Sequence, residues 1–194
     1  MQGVLEAGCD EAGRGCLAGS VFAASVILPA DFTHEKLTDS KKLSDKQRLI
    51  IRDDIVKYAV AWSVASVDHV EIDRINILNA SIKAMHLALD GLSVIPEFII
   101  VDGNRFKPYK SLSHRCIVKG DSLYYSIAAA SILAKTFRDE YIVERAKEFP
   151  YYKWEKNKSY ATLDHRQAII EFGPCLLHRK TFLKKIQNQQ TKLF

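Results

Sequence analysis

Val4-Leu5-Glu6-Ala7-Gly8-Cys9-Asp10-Glu11-Ala12-Gly13-Arg14-Gly15 decides how the rest of this chain is read. An apolar, strand-like segment runs into two adjacent acids and then a Gly-Arg-Gly turn. An unpaired buried charge is costly, so carboxylates at the end of a buried strand pair with a partner or hold a cation. The glycines let backbone approach a phosphate closely, and Arg14 brings a guanidinium to it. Acid pair and phosphate grip within six residues point to metal-dependent chemistry on a phosphate ester. Neighbours on a strand face opposite sides, so Asp10 and Glu11 share a site only where the strand ends or twists. Gly13 and Gly15 provide for that.

Working outward, Val4 to Cys9 reads as a buried strand and Ser20 to Leu28 as a second, ending at Pro29. The short Gly-bearing connection between them predicts a hairpin and antiparallel neighbours. Ser44 is a good N-cap for a helix from about Asp45 to Lys57. Tyr58 to Val67 reads as a third strand. Two helical stretches follow, about Val70 to Ile75 and Ile77 to Leu92. Phe98 to Val101 is a short buried strand ending at Asp102, and Cys116 to Val118 a shorter one. Ser122 to Glu148 is strongly helical, and its alanines allow close packing on a sheet. The pattern is α/β with a mixed sheet. Residues 1–150 read as the catalytic core and 151–194 as a smaller basic helical extension, with a helix over Asp164 to Phe172 closed by Gly173-Pro174.

The 194 residues suit one substantial core, and 47% hydrophobic with 26% charged residues excludes disordered and collagen-like classes. The longest mostly apolar stretch, Leu17 to Leu28, is too short to span a bilayer. No basic flank and apolar run opens the chain, so no secretory signal is expected. Cys9, Cys16, Cys116 and Cys175 form no Cys-x-x-Cys pair and no zinc-finger spacing. They read as small residues in a reducing cytoplasm. From Lys147 onward ten Lys and Arg stand against four Asp and Glu, so the basic surplus sits in the last quarter. That is the footprint of a surface for a polyanion, or equally of a solvated Lys-rich tail.

Two further acids stand at junctions, and a third, Asp139, lies within the long helix. Asp102 follows Phe98-Ile99-Ile100-Val101, and ligands of α/β sheets collect beyond the carboxyl ends of strands. With Gly103-Asn104 behind it, it reads equally as a turn former. Asp121 opens the long helix, where an N-cap is the simpler reading. Asp139 reads as a salt-bridge partner rather than a ligand. Carboxylates without Cys or His are hard oxygen donors that suit Mg²⁺ or Mn²⁺. Two such ions can serve an in-line phosphoryl displacement. No Gly-x-Ser-x-Gly, Walker A or Gly-x-Gly-x-x-Gly sequence is present.

The chain resembles ribonuclease HII. The resemblance lies in Asp10-Glu11-Ala12-Gly13-Arg14-Gly15, Leu17-Ala18-Gly19, Asp39-Ser40-Lys41-Lys42-Leu43-Ser44, Val101-Asp102-Gly103-Asn104 and Lys119-Gly120-Asp121-Ser122. It continues through Ile127 to Lys135 with Arg138-Asp139, Tyr160-Ala161-Thr162 with His165, and Gly173-Pro174 with His178-Arg179. The segments keep the family's order over nearly the whole chain. The resemblance implies a ribonuclease-H-like fold, a mixed five-stranded sheet with flanking helices and a helical C-terminal part. It implies metal-dependent cutting of the RNA strand in RNA–DNA hybrids, and of DNA at embedded ribonucleotides, leaving 5′-phosphate and 3′-hydroxyl ends. That activity belongs to ribonucleotide excision repair.

By position, Asp10, Glu11, Asp102 and Asp121 match the family's metal-binding carboxylates. Gly13, Arg14 and Gly15 match the reader of the 2′-hydroxyl and adjoining phosphate, and Tyr160 the residue at the ribose–deoxyribose junction. Lys41 and Lys42 are assigned to the substrate by the same match. Cys16 and Ser20 stand where the family often has proline, and Ser159 where glycine is common. A single 2′-hydroxyl separates RNA from DNA, so reading it takes donors and acceptors at close range.

His165 reads as structural, orienting the Tyr160 loop. Lys153, Lys156, Lys158, Arg179, Lys180, Lys184 and Lys185 are expected to grip phosphates collectively. Tyr151, Tyr152 and Trp154 read as packing rather than base-stacking residues. A noncatalytic nucleic-acid-binding module would not need to hold like charges beside phosphate. A DNA strand transferase of similar fold would not need a ribose reader. A ribonuclease HIII would need room for a further N-terminal domain. Gln187 to Phe194 loosely resembles a sliding-clamp-binding tail, with a frayed terminus the simpler reading.

Overall fold

The acid-bearing strand lies at the centre of a five-stranded sheet. A computed structural model describes residues 5–37 and 43–184. The strands are β1 (Glu6–Ala12), β2 (Val21–Ile27), β3 (Ala61–Val67), β4 (Phe98–Asp102) and β5 (Ser113–Ile117), in the order β3-β2-β1-β4-β5. β2 pairs antiparallel with β1 and with β3, as the hairpin reading requires. β4 runs parallel to both β1 and β5, so the sheet is mixed.

Helices cover both faces. α1 (Asp45–Tyr58) starts at a capping box in which Ser44 and Gln47 satisfy each other's backbone amides. α2 (His69–Asp90) breaks at Asn76, whose φ of 66° is not helical and whose side chain accepts from the Asn79 amide at 3.1 Å. This is the junction between the two helical stretches read from the sequence. α3 (Tyr125–Ala146) is shorter than its sequence pattern, because Gly120–Ser122 form a separate 3-10 turn and Tyr124 is extended. β5 starts three residues earlier than expected. Its sequence Ser-His-Arg-Cys-Ile sits at the sheet edge and is only half-buried, so it carries little apolar signal.

Alternation along β1 sorts the core. Ala7 and Cys9 join Met85 and Leu89 of α2 on one face. Ala12 joins Ala128, Ala129 and Ile132 of α3 on the other. Buried Ile and Leu side chains of this kind contribute about 1.5–3 kcal/mol each. Gly8 faces α3 so closely that a Cβ there would lie 2.2 Å from the Ser126 carbonyl carbon. α3 therefore rests its backbone on β1, which explains its run of alanines.

A third cluster joins the C-terminal part to the rest. Tyr152, Trp154, Ile169, Leu177 and Leu183 pack with Leu17, Ala18, Ile142 and Ala146. α4 (Trp154–Asn157) and α5 (Leu163–Phe172) belong to this region. The segment after Gly15 is held from both sides: Leu17 N–H donates to Ser159 O at 2.9 Å, Arg179 N–H to Leu17 O at 2.8 Å, and Gly19 N–H to Leu177 O at 2.9 Å. Among the described residues no helix is long and apolar enough to cross a membrane.

Candidate active site

β1 continues through both acids to Ala12, so the strand does not end before them. The expected conflict resolves differently. Asp10 falls on the α3 face and Glu11 on the α2 face, and both reach a cleft at the tip of the strand. One step before them, Cys9 pairs with Val101 in the β1–β4 ladder. Asp102 therefore stands beside Asp10 at the same level of the adjoining strand.

A cleft of about 280 Å³ is lined by Asp10, Glu11, Gly13, Arg14, Gly15, Asp102, Ser131, Lys135 and Tyr160. Glu11 and Asp102 also face a neighbouring hollow with Asn104 and Arg105. Asp121 is buried in the 3-10 turn and lines a separate hollow with Tyr124 and Tyr125. It is not the cap of α3, whose N-cap residue is Tyr124. Its link to the other acids runs through Gly120, whose N–H donates to Asp102 Oδ1 at 2.7 Å. Lys41 and Lys42 lie outside the described residues, as do Lys185 and Gln187 to Phe194.

Burial, then the charges of Glu11 and Asp102, hold the Asp10 carboxyl well above the usual carboxylate range. A hydrogen bond from Ser131 and one from the Glu11 amide, at 2.7 Å, oppose that rise. Burial also raises Glu11, against the Arg14 guanidinium 2.9 Å away. The cleft thus holds mutually repelling carboxylates, with the half-exposed Arg14 paired to Glu11. As they stand, no three described His, Cys, Asp or Glu side chains converge on one ion position. Glu11 is turned to Arg14 and Asp102 to the Gly120 amide.

The opposite wall carries Tyr160, 37% exposed, its phenol pushed up to about 12 by burial first and by nearby Cys16 next. Lys135 Nζ lies 5.5 Å from the ring centroid and bonds Asp139 at 2.5 Å. Asp139 also pairs with Arg138 at 3.1 Å. Behind the wall, His165 Nδ1 faces the Tyr160 carbonyl at 2.9 Å and so carries the proton. His165 Nε2 then accepts from Trp154 Nε1 at 3.0 Å and from His178 Nε2 at 3.2 Å. His178 Nδ1 accepts the Cys175 amide at 3.0 Å. The relay works only with both rings neutral. Burial lowers His165, and burial followed by His165 pushes His178 down to about 4.

Arg179 does not grip phosphate. It is fully buried, and its Nε and Nη1 donate to the carbonyls of Gly19 at 3.0 Å and Arg14 at 3.1 Å. Lys153, Lys156, Lys180 and Lys184 are exposed. Tyr152 and Trp154 are buried packing residues, whereas Tyr151 is exposed against Phe172. Sequence reading passed over Ser131, Lys135 and the buried Arg138 as site-wall residues. Beyond lying in the family-like segment, they are marked by spacing along α3, where Ser131, Lys135 and Arg138 recur on one helical face.

The central strand tipped with acids and the mixed sheet of order β3-β2-β1-β4-β5 define a ribonuclease-H-like nuclease. Residues 7–186 match the family model described as Ribonuclease HII. A ribonuclease HII from Phocaeicola vulgatus is 58% identical over 179 residues, covering 92% of this chain and 89% of the relative. The chain belongs to the ribonuclease HII family and is an endoribonuclease. Its fold is shared by ribonuclease H2 from Pyrococcus horikoshii, with TM-score 0.78 at 24% identity over 96% of this chain and 99% of that one. The ribonuclease HII in the PCNA complex from Archaeoglobus fulgidus gives TM-score 0.75 at 25% identity, over 91% of this chain and 94% of that one.

Proposed function

We propose that this enzyme cuts the RNA strand of RNA–DNA hybrids and cuts duplex DNA at embedded ribonucleotides, with divalent metal ions, leaving 5′-phosphate and 3′-hydroxyl ends. One observation carries the reading: the repelling acids Asp10, Glu11 and Asp102 share a cleft with Gly13-Arg14-Gly15 and Tyr160. The acid set fits Mg²⁺ or Mn²⁺ by its chemistry. It is all carboxylate and hard, with Asp10 and Asp121 buried and Glu11 and Asp102 partly buried, and burial followed by charge repulsion raises Asp10, a repulsion that a cation would relieve. Asp10, Glu11, Asp102 and Asp121 would hold the ions, once Glu11 leaves Arg14 and Asp102 turns from Gly120. Bound there, a pair of ions supplies an activated water and neutralises charge on the phosphate.

The chain's own groups do the rest. Ser131 orients Asp10 from α3. Arg14, released from Glu11, reaches a substrate phosphate. Gly13 to Gly15 present backbone donors and acceptors to a 2′-hydroxyl. Tyr160 lays its ring on the sugar that lacks one. Lys41 and Lys42 add cations from the segment before α1, and exposed Lys153, Lys156, Lys180 and Lys184 add salt-dependent affinity. A clamp contact through Gln187 to Phe194 is a further proposal, drawn from the complex of the Archaeoglobus relative.

The test is duplex DNA carrying one ribonucleotide, and a uniform hybrid, each incubated with Mg²⁺, Mn²⁺ or EDTA and the cut mapped. Cleavage on the 5′ side of the ribonucleotide, abolished by EDTA, is expected. Tight binding without products in either metal would establish a binding module instead.

A further inference from the structure

Lys158 and Ser159 are consecutive non-glycine residues in the left-handed region, with φ of 46° and 58°. That conformation costs roughly 1–2 kcal/mol per residue. Ser159 is fully buried and offsets its share through its hydroxyl, which donates to Ala18 O at 2.9 Å and accepts from Arg138 Nη2 at 2.5 Å. Arg138 is itself fully buried. Its Cζ lies 5.3 Å from the Tyr160 ring centroid, and its Nε lies 3.1 Å from where a Cβ on Gly13 would sit. The guanidinium is therefore wedged between the Gly13 turn and the Tyr160 ring. Beyond Asp139 and Ser159 it has no other fixed partner among the described residues, and its Nε is left without one.

We propose that Ser159 is a positioning residue for substrate discrimination. Its hydroxyl fixes Arg138 between the turn and the ring, and so sets the spacing of the two elements that read a lone ribonucleotide. The inference rests on the junction role given to Tyr160. Serine at this position does what glycine cannot: at the cost of a strained left-handed backbone, its hydroxyl ties residue 18, helix α3 and the Tyr160 loop together. A lone ribonucleotide needs turn and ring at one fixed separation. A continuous RNA strand offers a 2′-hydroxyl at every step and depends on that separation less.

The experiment compares Ser159→Gly, Ser159→Ala and Tyr160→Ala, reading kcat/KM on a duplex with one ribonucleotide relative to a uniform hybrid. Both Ser159 variants lose the hydroxyl, but glycine relieves the backbone strain and alanine keeps it. The expected result is a ratio lowered about fivefold in both, although Ser159→Gly melts higher than Ser159→Ala. In the Tyr160→Ala background Ser159→Gly should lower the ratio no further. A ratio lost in Ser159→Ala but restored in Ser159→Gly would mean that strain, not the hydroxyl, matters, and overturns the proposal. An unchanged ratio in both Ser159 variants beside a lowered one in Tyr160→Ala overturns it alone. An unchanged ratio in Tyr160→Ala removes the junction role, and this inference with it.

Discussion

The two walls of the cleft are built by opposite means. The acid wall is made of strand tips: Asp10 and Glu11 lie near the end of β1, Asp102 ends β4, and α3 presses on β1 at Gly8. Asp10 is buried, Glu11 and Asp102 are partly buried, and the three repel one another. The Tyr160 wall is made of irregular chain. Residues 16–19 are sandwiched between the Tyr160 loop and residues 177–179, backed by two neutral histidines and by buried Arg138 and Arg179. The first wall is rigid in backbone and strained in charge. The second is tied together by hydrogen bonds between distant segments, with Arg138 Nε and Arg179 Nη2 left over, and owes its shape to contacts across the chain. A rigid frame can hold like charges ready for a cation, whereas shape recognition needs fixed spacing without charge strain.

The sharpest way to break this contrast is Asp10→Asn. Cleavage with Mg²⁺ should fall by about a thousandfold or more, since metal-assisted stabilisation is worth several kcal/mol. In EDTA the same variant should melt higher than the parent, because a buried repelling charge is gone. A lower melting temperature would show that the acid wall is not strained.

Next comes Gly8→Ala. The added Cβ meets α3 backbone, which cannot swing aside, so stability should fall by about 3 kcal/mol. Melting should drop by roughly 6–12 °C in calorimetry. A drop under about 2 °C would deny the close seat of α3 on β1.

The walls should also respond to pH with opposite sign. Asp10 binds its proton more tightly in the folded state, so its contribution is present at low pH and fades as pH rises above 3.8. His178 binds its proton less tightly when folded, so stability is lost as pH falls from 6.5 toward about 4. In the Asp10→Asn background, which silences the first effect, urea unfolding at pH 5 should show about 2 kcal/mol less stability than at pH 7. An NMR titration placing His178 near 6.5 would remove this half of the contrast.

The smallest expected effect tests what the second wall is for. Arg179→Met takes the donors from the Arg14 and Gly19 carbonyls without touching an acid. Cleavage at a lone ribonucleotide should fall about tenfold further than cleavage of a uniform hybrid, the scale of one or two lost hydrogen bonds. Equal losses on both substrates would merge the two walls into one functional unit.

The legibility of the molecule follows the same division. The strand bearing Asp10 and Glu11, the Ser44 cap and the break at Asn76 could all be read from a few consecutive residues. Of the polar edge strand β5 only the end at Cys116 and Ile117 could, because its half-buried start leaves no apolar run. Arg179 was expected on a phosphate because a basic residue in a basic segment looks solvated. Nothing nearby in sequence announces two carbonyls waiting 160 and 165 residues upstream. Ser131 and Lys135 entered the cleft only because α3 crosses β1 at Gly8.

By itself, then, the sequence determined the α/β frame and the ribonuclease HII family, and it named the groups proposed for the chemistry: the four carboxylates, the Gly13–Gly15 turn and Tyr160. Periodicity, capping and turn chemistry are local, and they act over the few residues that spell them. The tertiary structure alone decided that Asp10 and Glu11 straddle one strand tip instead of ending it. It also decided that Asp121 is linked to Asp102 by way of Gly120, and that the C-terminal part frames the Gly13–Gly15 turn and the residues after it. Those outcomes rest on hydrogen bonds and packing between segments far apart in the chain, where no short pattern can encode the partner.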